Sequence, residues 1–271
     1  MFQSRYVHSA LVAACALMFT GAELLQGHEQ SGPVLTATTA WLQGKTAGDS
    51  DSAVAKPKSA LKAMTNRAID ALSHVVGPLS STEALADGVR SYFAFKTTHP
   101  NEVRNPYLYF VDYGLPSTSP RGYVFDMSAL KLLAGPFTVA HGRGSSAGRE
   151  GVPTRFSNSS GSAATSLGLY LTESTYPFVG NSGGRSYHSI GLRLIGVSDG
   201  FNDNAFARRV VAHGAPYVTP VKAGRSEGCP AMEQSRAKQL LPKIANGGMV
   251  FLYAPDSNWL SSDPWIAAGA E

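Results

Sequence analysis

Cys229 is the only cysteine outside the first fifteen residues, and the pair His213-Gly214 precedes it by sixteen positions. A thiol attacks a carbonyl as thiolate, and an ordinary cysteine is only about a few per cent ionised at neutral pH, so it needs a base. His213 is of the right type, because an imidazole accepts a proton near working pH and can return it to a leaving amine. Gly228, directly before the cysteine, leaves room for the backbone N–H groups of Gly228 and Cys229 to approach a carbonyl oxygen, as an oxyanion hole requires. Ser226, Gly228 and Cys229 therefore read as a nucleophile turn. The Ser226 hydroxyl has no thiolate fraction to draw on, so it is a candidate for ordering the turn or holding substrate. Each residue has a plainer role to set beside this one. A free cysteine is most often a small buried apolar side chain. A histidine after the apolar run Val210-Val211-Ala212 is either structural or a base held rigidly at a strand end.

The elements that would hold these residues are mostly strands. Tyr107 to Asp112, Gly122 to Asp126, Phe137 to Ala140, Leu167 to Thr172, Ile190 to Ile195, Val210 to Ala212 and Met249 to Tyr253 are short β-rich runs between Gly, Pro, Ser and Asn clusters. They predict a mainly β domain, an open barrel or sandwich. Two amphipathic helices lead into it. Leu61, Met64, Ala68, Leu72 and Val75 recur at helical spacing until Gly77-Pro78. Ser80 and Glu83 have capping-box spacing for a second helix carrying Leu85, Val89 and Tyr92 on one face. One helical segment returns near the C-terminus, Gln234 to Ile244, where Pro242 predicts a kink or a division into two. TVAHG and VVAHG look alike locally, but no longer period repeats.

At the N-terminus, Arg5, an apolar core from Ala10 to Phe19 and the small residues Thr20-Gly21-Ala22 fit a secretory signal peptide. The apolar run is too short to span a bilayer. A lipobox at Val12-Ala13-Ala14-Cys15 would leave almost no hydrophobic region before its cysteine. Gln43 to Ser59 has almost no large apolar side chain and reads as linker. The expected organisation is a signal peptide over 1–22, a flexible segment over 23–58, a helical lead-in over 59–104, the catalytic domain over 105–258 and a tail over 259–271. Cleavage would leave one cysteine in an exported chain, where it cannot be half of an internal disulfide.

The 271 residues carry a net charge of +4 and are 43% hydrophobic, ordinary for a globular protein. The 23 basic residues are scattered, so no nucleic-acid partner is expected. His141, His188, His213 and Cys229 lack paired ligand spacing, so neither a metal nor another cofactor is expected.

A histidine-glycine pair followed by Ser-x-Gly-Cys resembles the L,D-transpeptidase catalytic domain of the YkuD type. The runs YLYFVDYGLPSTSPRGYVFD, VAHGRGS, RFSNSSGSAATSLGLYLTESTY, SIGLRLIGVSDGFNDNAFARRVVAHGAPYV and GRSEGCPAM resemble, in order, its murein branch over about residues 80–255. The resemblance implies an exported enzyme of the periplasm or cell envelope, with peptidoglycan stem peptides as partners. Cys229 would attack the carbonyl of the L-centre of a diamino acid and expel D-alanine, with His213 shuttling the proton. The thioacyl group would then pass to an amine of a second stem. It further implies carbapenem acylation of the cysteine and an orienting acceptor for His213 that is sometimes a backbone carbonyl. Arg225, His141, Tyr217 and Gly214 fall in the matching blocks as substrate-binding candidates. Two positions depart from the pattern, with Glu227 where the superfamily has histidine and Ala231 where it has arginine. Arg225 is the candidate replacement cation and Arg193 a second. Two rival readings remain: an L,D-carboxypeptidase using the same thiol with water as acceptor, and a wall-binding scaffold without activity. The sequence says nothing of oligomeric state.

Overall fold

A computed structural model of the chain describes residues 48–145 and 151–270, with side chains from residue 59 onward. The expected signal peptide, and the expected linker as far as residue 47, lie outside them.

Helix α1, Gly48–Ser73, starts well before the lead-in boundary expected at residue 59. Ala68 and Leu72 are fully buried, whereas Met64 and Val75, placed on the same stripe by spacing, are exposed. Helix α2, Ala84–Thr98, buries Leu85, Val89 and Tyr92. Its expected capping box is not formed. Ser80 instead gives its N–H (2.7 Å) and hydroxyl (2.6 Å) to the buried carboxylate of Asp112. That competing acceptor ties the lead-in to the first strand.

The strands are β1 Tyr107–Asp112, β2 Gly122–Asp126, β3 Lys131–Phe137, β4 His141–Gly142, β5 Gly168–Ser182, β6 Arg185–Gly196, β7 Val211–Gly214, β8 Val218–Thr219, β9 Lys222–Ala223, β10 Arg225–Ser226, β11 Ala231–Met232 and β12 Met249–Tyr253. Eight of them form one mixed, open sheet in the order β11-β7-β6-β5-β12-β1-β2-β3. β12 is parallel to β1 and β11 to β7, and the other neighbours are antiparallel. The sheet-dominated architecture expected from the sequence is present, without closure into a barrel. The central strands β1 and β12 are buried along almost their whole length, and their Phe110 and Phe251 rings stack at 6.4 Å in the core beneath α2.

Two elements exceed the sequence reading. β5 and β6 continue far beyond Leu167–Thr172 and Ile190–Ile195 into one long hairpin paired to Ser182 and Arg185. Its two-residue turn is Gly183-Gly184, with φ of 57° and 79°, the left-handed conformations that two-residue hairpins demand. At the C-terminus, helix α3, Gln234–Ile244, runs unbroken through Pro242, which falls in its last turn. Beyond it, where a tail was expected, stand α4, Ser257–Ser262, and α5, Pro264–Ala270. Trp259 of α4 is buried against Phe251 and Tyr253, and Trp265 of α5 packs edge-on to Phe95 of α2 at 4.8 Å. A chain segment that buries an indole in the core is part of the domain rather than an appendage.

Candidate active site

The turn that carries Cys229 is held on both sides. Upstream, β10 pairs parallel with β4, Arg225 opposite His141 and Ser226 opposite Gly142. Downstream, β11 pairs parallel with β7, Ala231 opposite His213 and Met232 opposite Gly214. The two similar His-Gly segments, TVAHG and VVAHG, therefore grip the two limbs of one turn. Glycine is required at the centre. A Cβ on Gly142 would lie 2.8 Å from the Gly228 Cα and 2.3 Å from the Ala163 carbonyl oxygen. Gly228 itself adopts φ of +124°, a region that favours glycine.

Ser226 spans the turn, its hydroxyl donating to the Cys229 carbonyl at 2.7 Å and accepting from the Gly228 N–H at 3.2 Å. The Gly228 amide, read from sequence as an oxyanion donor, is thus already engaged. Cys229 is half-buried, with its sulfur 4.0 Å from the Arg209 carbonyl oxygen. Burial pushes the thiol above its usual range, assisted by Glu227 and opposed by the Val211 backbone and the Arg208 guanidinium.

His213 is buried under Phe178, ring centroids 4.2 Å apart and nearly parallel. Desolvation lowers its pKa to about 4, with the Gly214 carbonyl pulling the other way. Nδ1 lies 3.1 Å from that carbonyl oxygen. A carbonyl only accepts, so the neutral imidazole carries its proton on Nδ1 and leaves Nε2 as the unprotonated nitrogen. Gly214, offered by sequence as substrate-binding, is buried. A Cβ there would lie 2.8 Å from that of Ala237 in α3. The Gly214 carbonyl is the acceptor that orients the His213 ring, a role that spacing alone does not reveal.

A register row explains why the imidazole has space. Tyr176 of β5, Gly191 of β6, His213 of β7 and Ala231 of β11 are successive partners, so their side-chain positions share one sheet face. Gly191 lets the Tyr176 ring lie across it, since a Cβ there would meet that ring at 2.7 Å. Leu192, Leu194 and Ala212 are buried on the opposite face.

The remaining candidates divide. His141 is fully buried, with Nδ1 2.7 Å from the Arg121 guanidinium, and burial together with Arg121 and Arg225 holds its pKa down at about 2. It braces the base of the turn and lines no open groove. Arg225 donates to the Ser117 hydroxyl (3.0 Å) and the Gly224 carbonyl (3.1 Å), so its fork is engaged within the fold. Tyr217 packs edge-on to Tyr187 at 6.3 Å, and both phenols lie within the field of Cys229. Glu227, at the departed histidine position, points outward into an exposed ion pair with Arg143 at 2.8 Å.

Sequence reasoning missed three arginines. Arg121 is fully buried and donates to Val139, Leu115 and His141, with burial lowering its pKa to about 10. Arg208 bonds Ser157, Ser162, Ala164 and Ser166, fastening the loop behind Gly228. Arg209 sits at φ of +57° and so aims its carbonyl at the sulfur. None of these belongs to a spacing motif, since each works through loops that meet only after folding. Among the described residues, no group of three His, Cys, Asp or Glu side chains is placed to hold a metal ion, and no helix is long and apolar enough to cross a membrane.

No curated protein matches the chain. Solved structures similar to it include an L,D-transpeptidase from Mycobacterium smegmatis, 13% identical over 55% of this chain and 59% of that one, with a TM-score of 0.33. Another is L,D-transpeptidase (Yku) from Stackebrandtia nassauensis, 16% identical over 63% of this chain and 66% of that one, with a TM-score of 0.34. The chain thus spans less than two thirds of the length of these structures. Residues 79–253, from just before α2 to the end of β12, match the L,D-transpeptidase catalytic domain family. With His213, the Cys229 turn and both gripping strands inside that match, this protein belongs to the L,D-transpeptidase catalytic domain family.

Proposed function

We propose that this chain is a cysteine L,D-transpeptidase that acts on peptidoglycan tetrapeptide stems in the cell envelope, reached by an exported precursor. The observation that carries the reading is the parallel pairing of β7 with β11, which fixes a neutral, Nδ1-protonated His213 beside the strand that leaves Cys229. With the thiol pushed up and the imidazole pushed down, both are neutral at rest. Attack and proton transfer then go together. The sulfur bonds to the carbonyl carbon of the diamino acid's L-centre as its proton passes to His213 Nε2. The tetrahedral oxyanion is met by the Cys229 backbone N–H, since the Gly228 N–H is held by Ser226, and one such donor is worth about a hundredfold or more in turnover. Collapse breaks the C–N bond, and the imidazolium returns the proton to the departing D-alanine amine. An acceptor-stem amine attacks the thioacyl carbon, gives its proton to His213 and releases the thiol. Its acceptor is an amine of another stem, giving a cross-link. Domain limits follow the same reading, with the catalytic unit over about 105–258 extended by α4 and α5.

The test is turnover of a disaccharide-tetrapeptide donor with an acceptor stem. Wild type forms cross-linked dimer and free D-alanine, and a folded Cys229→Ala protein forms neither. Retained turnover in that variant refutes the mechanism, and free tripeptide as sole product moves the assignment to an L,D-carboxypeptidase.

A further inference from the structure

Beside the Cys229 turn lies a cleft of about 450 Å³ lined by Tyr176, Arg193, Phe206, Arg209 and Val211 among others, with no Asp or Glu side chain in its wall. Cys229 is not part of its wall, but two wall residues touch the thiol, the Arg209 carbonyl at 4.0 Å from Sγ and the Val211 backbone. Arg193 is the partner of Val211 across β6 and β7, two residues along from the Gly191 and His213 pair and so on the same face. Its guanidinium carbon lies 4.4 Å from the centroid of the Tyr176 ring, and Nη1 donates to Ser174 Oγ at 3.1 Å. Ser174 sits in the β5 irregularity between Thr172 and Thr175, so the bulge supplies one end of the support and the aromatic ring the other.

Three of the other cations near the turn are engaged otherwise, while the fourth, Arg209 on the rim of the same cleft, is exposed. Arg208 and Arg225 are bonded to carbonyls and hydroxyls, and Arg143 is paired with Glu227. Arg193 is half-buried and braced, and among the described residues no carboxylate pairs with it. A guanidinium so held keeps donors free for a second carboxylate-shaped acceptor, which its planar fork matches.

We propose that Arg193 is the specificity-determining residue of the donor cleft, receiving a carboxylate of the donor peptide beside Cys229. The proposal rests on the transpeptidase reading for the identity of that peptide. The residues flanking the scissile bond carry two carboxylates: that of the terminal D-alanine, on the carbon next to the leaving nitrogen, and that of the diamino acid's D-centre.

The test is calorimetric binding to the folded Cys229→Ala protein of three tetrapeptide stems: one with both carboxylates free, one amidated at the terminus and one amidated at the D-centre. One amidation weakens binding about tenfold or more when Arg193 is present, as expected for losing a charge-assisted contact, and has no effect in Arg193→Gln. The amide that matters identifies the carboxylate, and Arg193→Lys retains part of the discrimination. Equal losses with and without Arg193, no loss from either amide, or no binding of any stem overturns the proposal. Intact mass of the wild-type protein separates this from the reading beneath it. Carboxylate-dependent binding through Arg193 without a thioacyl adduct retains the site and removes the transpeptidase. Equally fast adduct formation from amidated donors does the reverse.

Discussion

Replacing Phe178 by alanine should raise the pKa of His213, and the size of the change follows from how that ring is held. The imidazole is 3% exposed and stacked on Phe178 at 4.2 Å, and its pKa is lowered from 6.5 to about 4, chiefly by desolvation. Each unit is worth about 1.4 kcal/mol, so burial favours the neutral form by roughly 3 kcal/mol. Truncation opens one ring face to water while the Gly214 acceptor and the β7 backbone remain, so recovery of about one unit is expected. In the Cys229→Ala background, NMR titration of the His213 ring protons should give a midpoint near 4, moving to about 5 in Phe178→Ala. The acid limb of kcat/KM should move with it in the active enzyme. Stability carries the same signature. An unfolded His213 binds a proton below about 6.5 and the folded one only below about 4. The unfolded state therefore holds more protons in that window, and stability falls as pH drops through it. His141, held near 2, extends the decline further. A wild-type midpoint between 6 and 7, or one that Phe178→Ala leaves unmoved, refutes the argument that burial sets this base.

Gly142→Ala should be more damaging than its size suggests, because the added methyl meets backbone of Ala163, Gly228 and Thr165. We expect a loss of about 1–3 kcal/mol from overpacking and, from displacement of the turn, about a hundredfold in turnover. Gly151→Ala, where nothing lies within 4 Å, is the control, and equal effects of the two would contradict the grip of β4 on the turn. Trp259→Ala should cost about 3–5 kcal/mol in denaturant unfolding, since the indole is 2% exposed in the core and bonds Asp263 at 2.8 Å. A loss under about 1 kcal/mol would return α4 and α5 to the status of a tail.

How legible this was in the sequence depended on whether the signal was local. The strands announced themselves as apolar β-branched and aromatic runs between breakers, and Cys229 with His213 stood out by type and spacing. The long hairpin was missed although its Gly183-Gly184 turn is a recognisable two-residue signal. Pro177 and the polar alternation from Thr175 to Ser189 disguised its arms. Ser80 reads as a cap because sequence shows Glu83 three positions on but not the Asp112 carboxylate that competes for it. Gly214 and His141 have the right neighbours for a substrate groove, yet sheet pairing turns one into an orienting carbonyl and buries the other under Arg121. Arg121, Arg208 and Arg209 act through contacts between distant loops, which no spacing encodes.

In the proposed mechanism Cys229 carries the acyl group. Intact-mass and peptide-level analysis of the purified protein, after brief exposure to a disaccharide-tetrapeptide donor or to meropenem, tests it most directly. A covalent adduct on Cys229 is expected with each compound, the stem adduct being discharged when an acceptor amine is added. An adduct on Ser226 or elsewhere, or none from either compound in a protein shown to be folded, would contradict it.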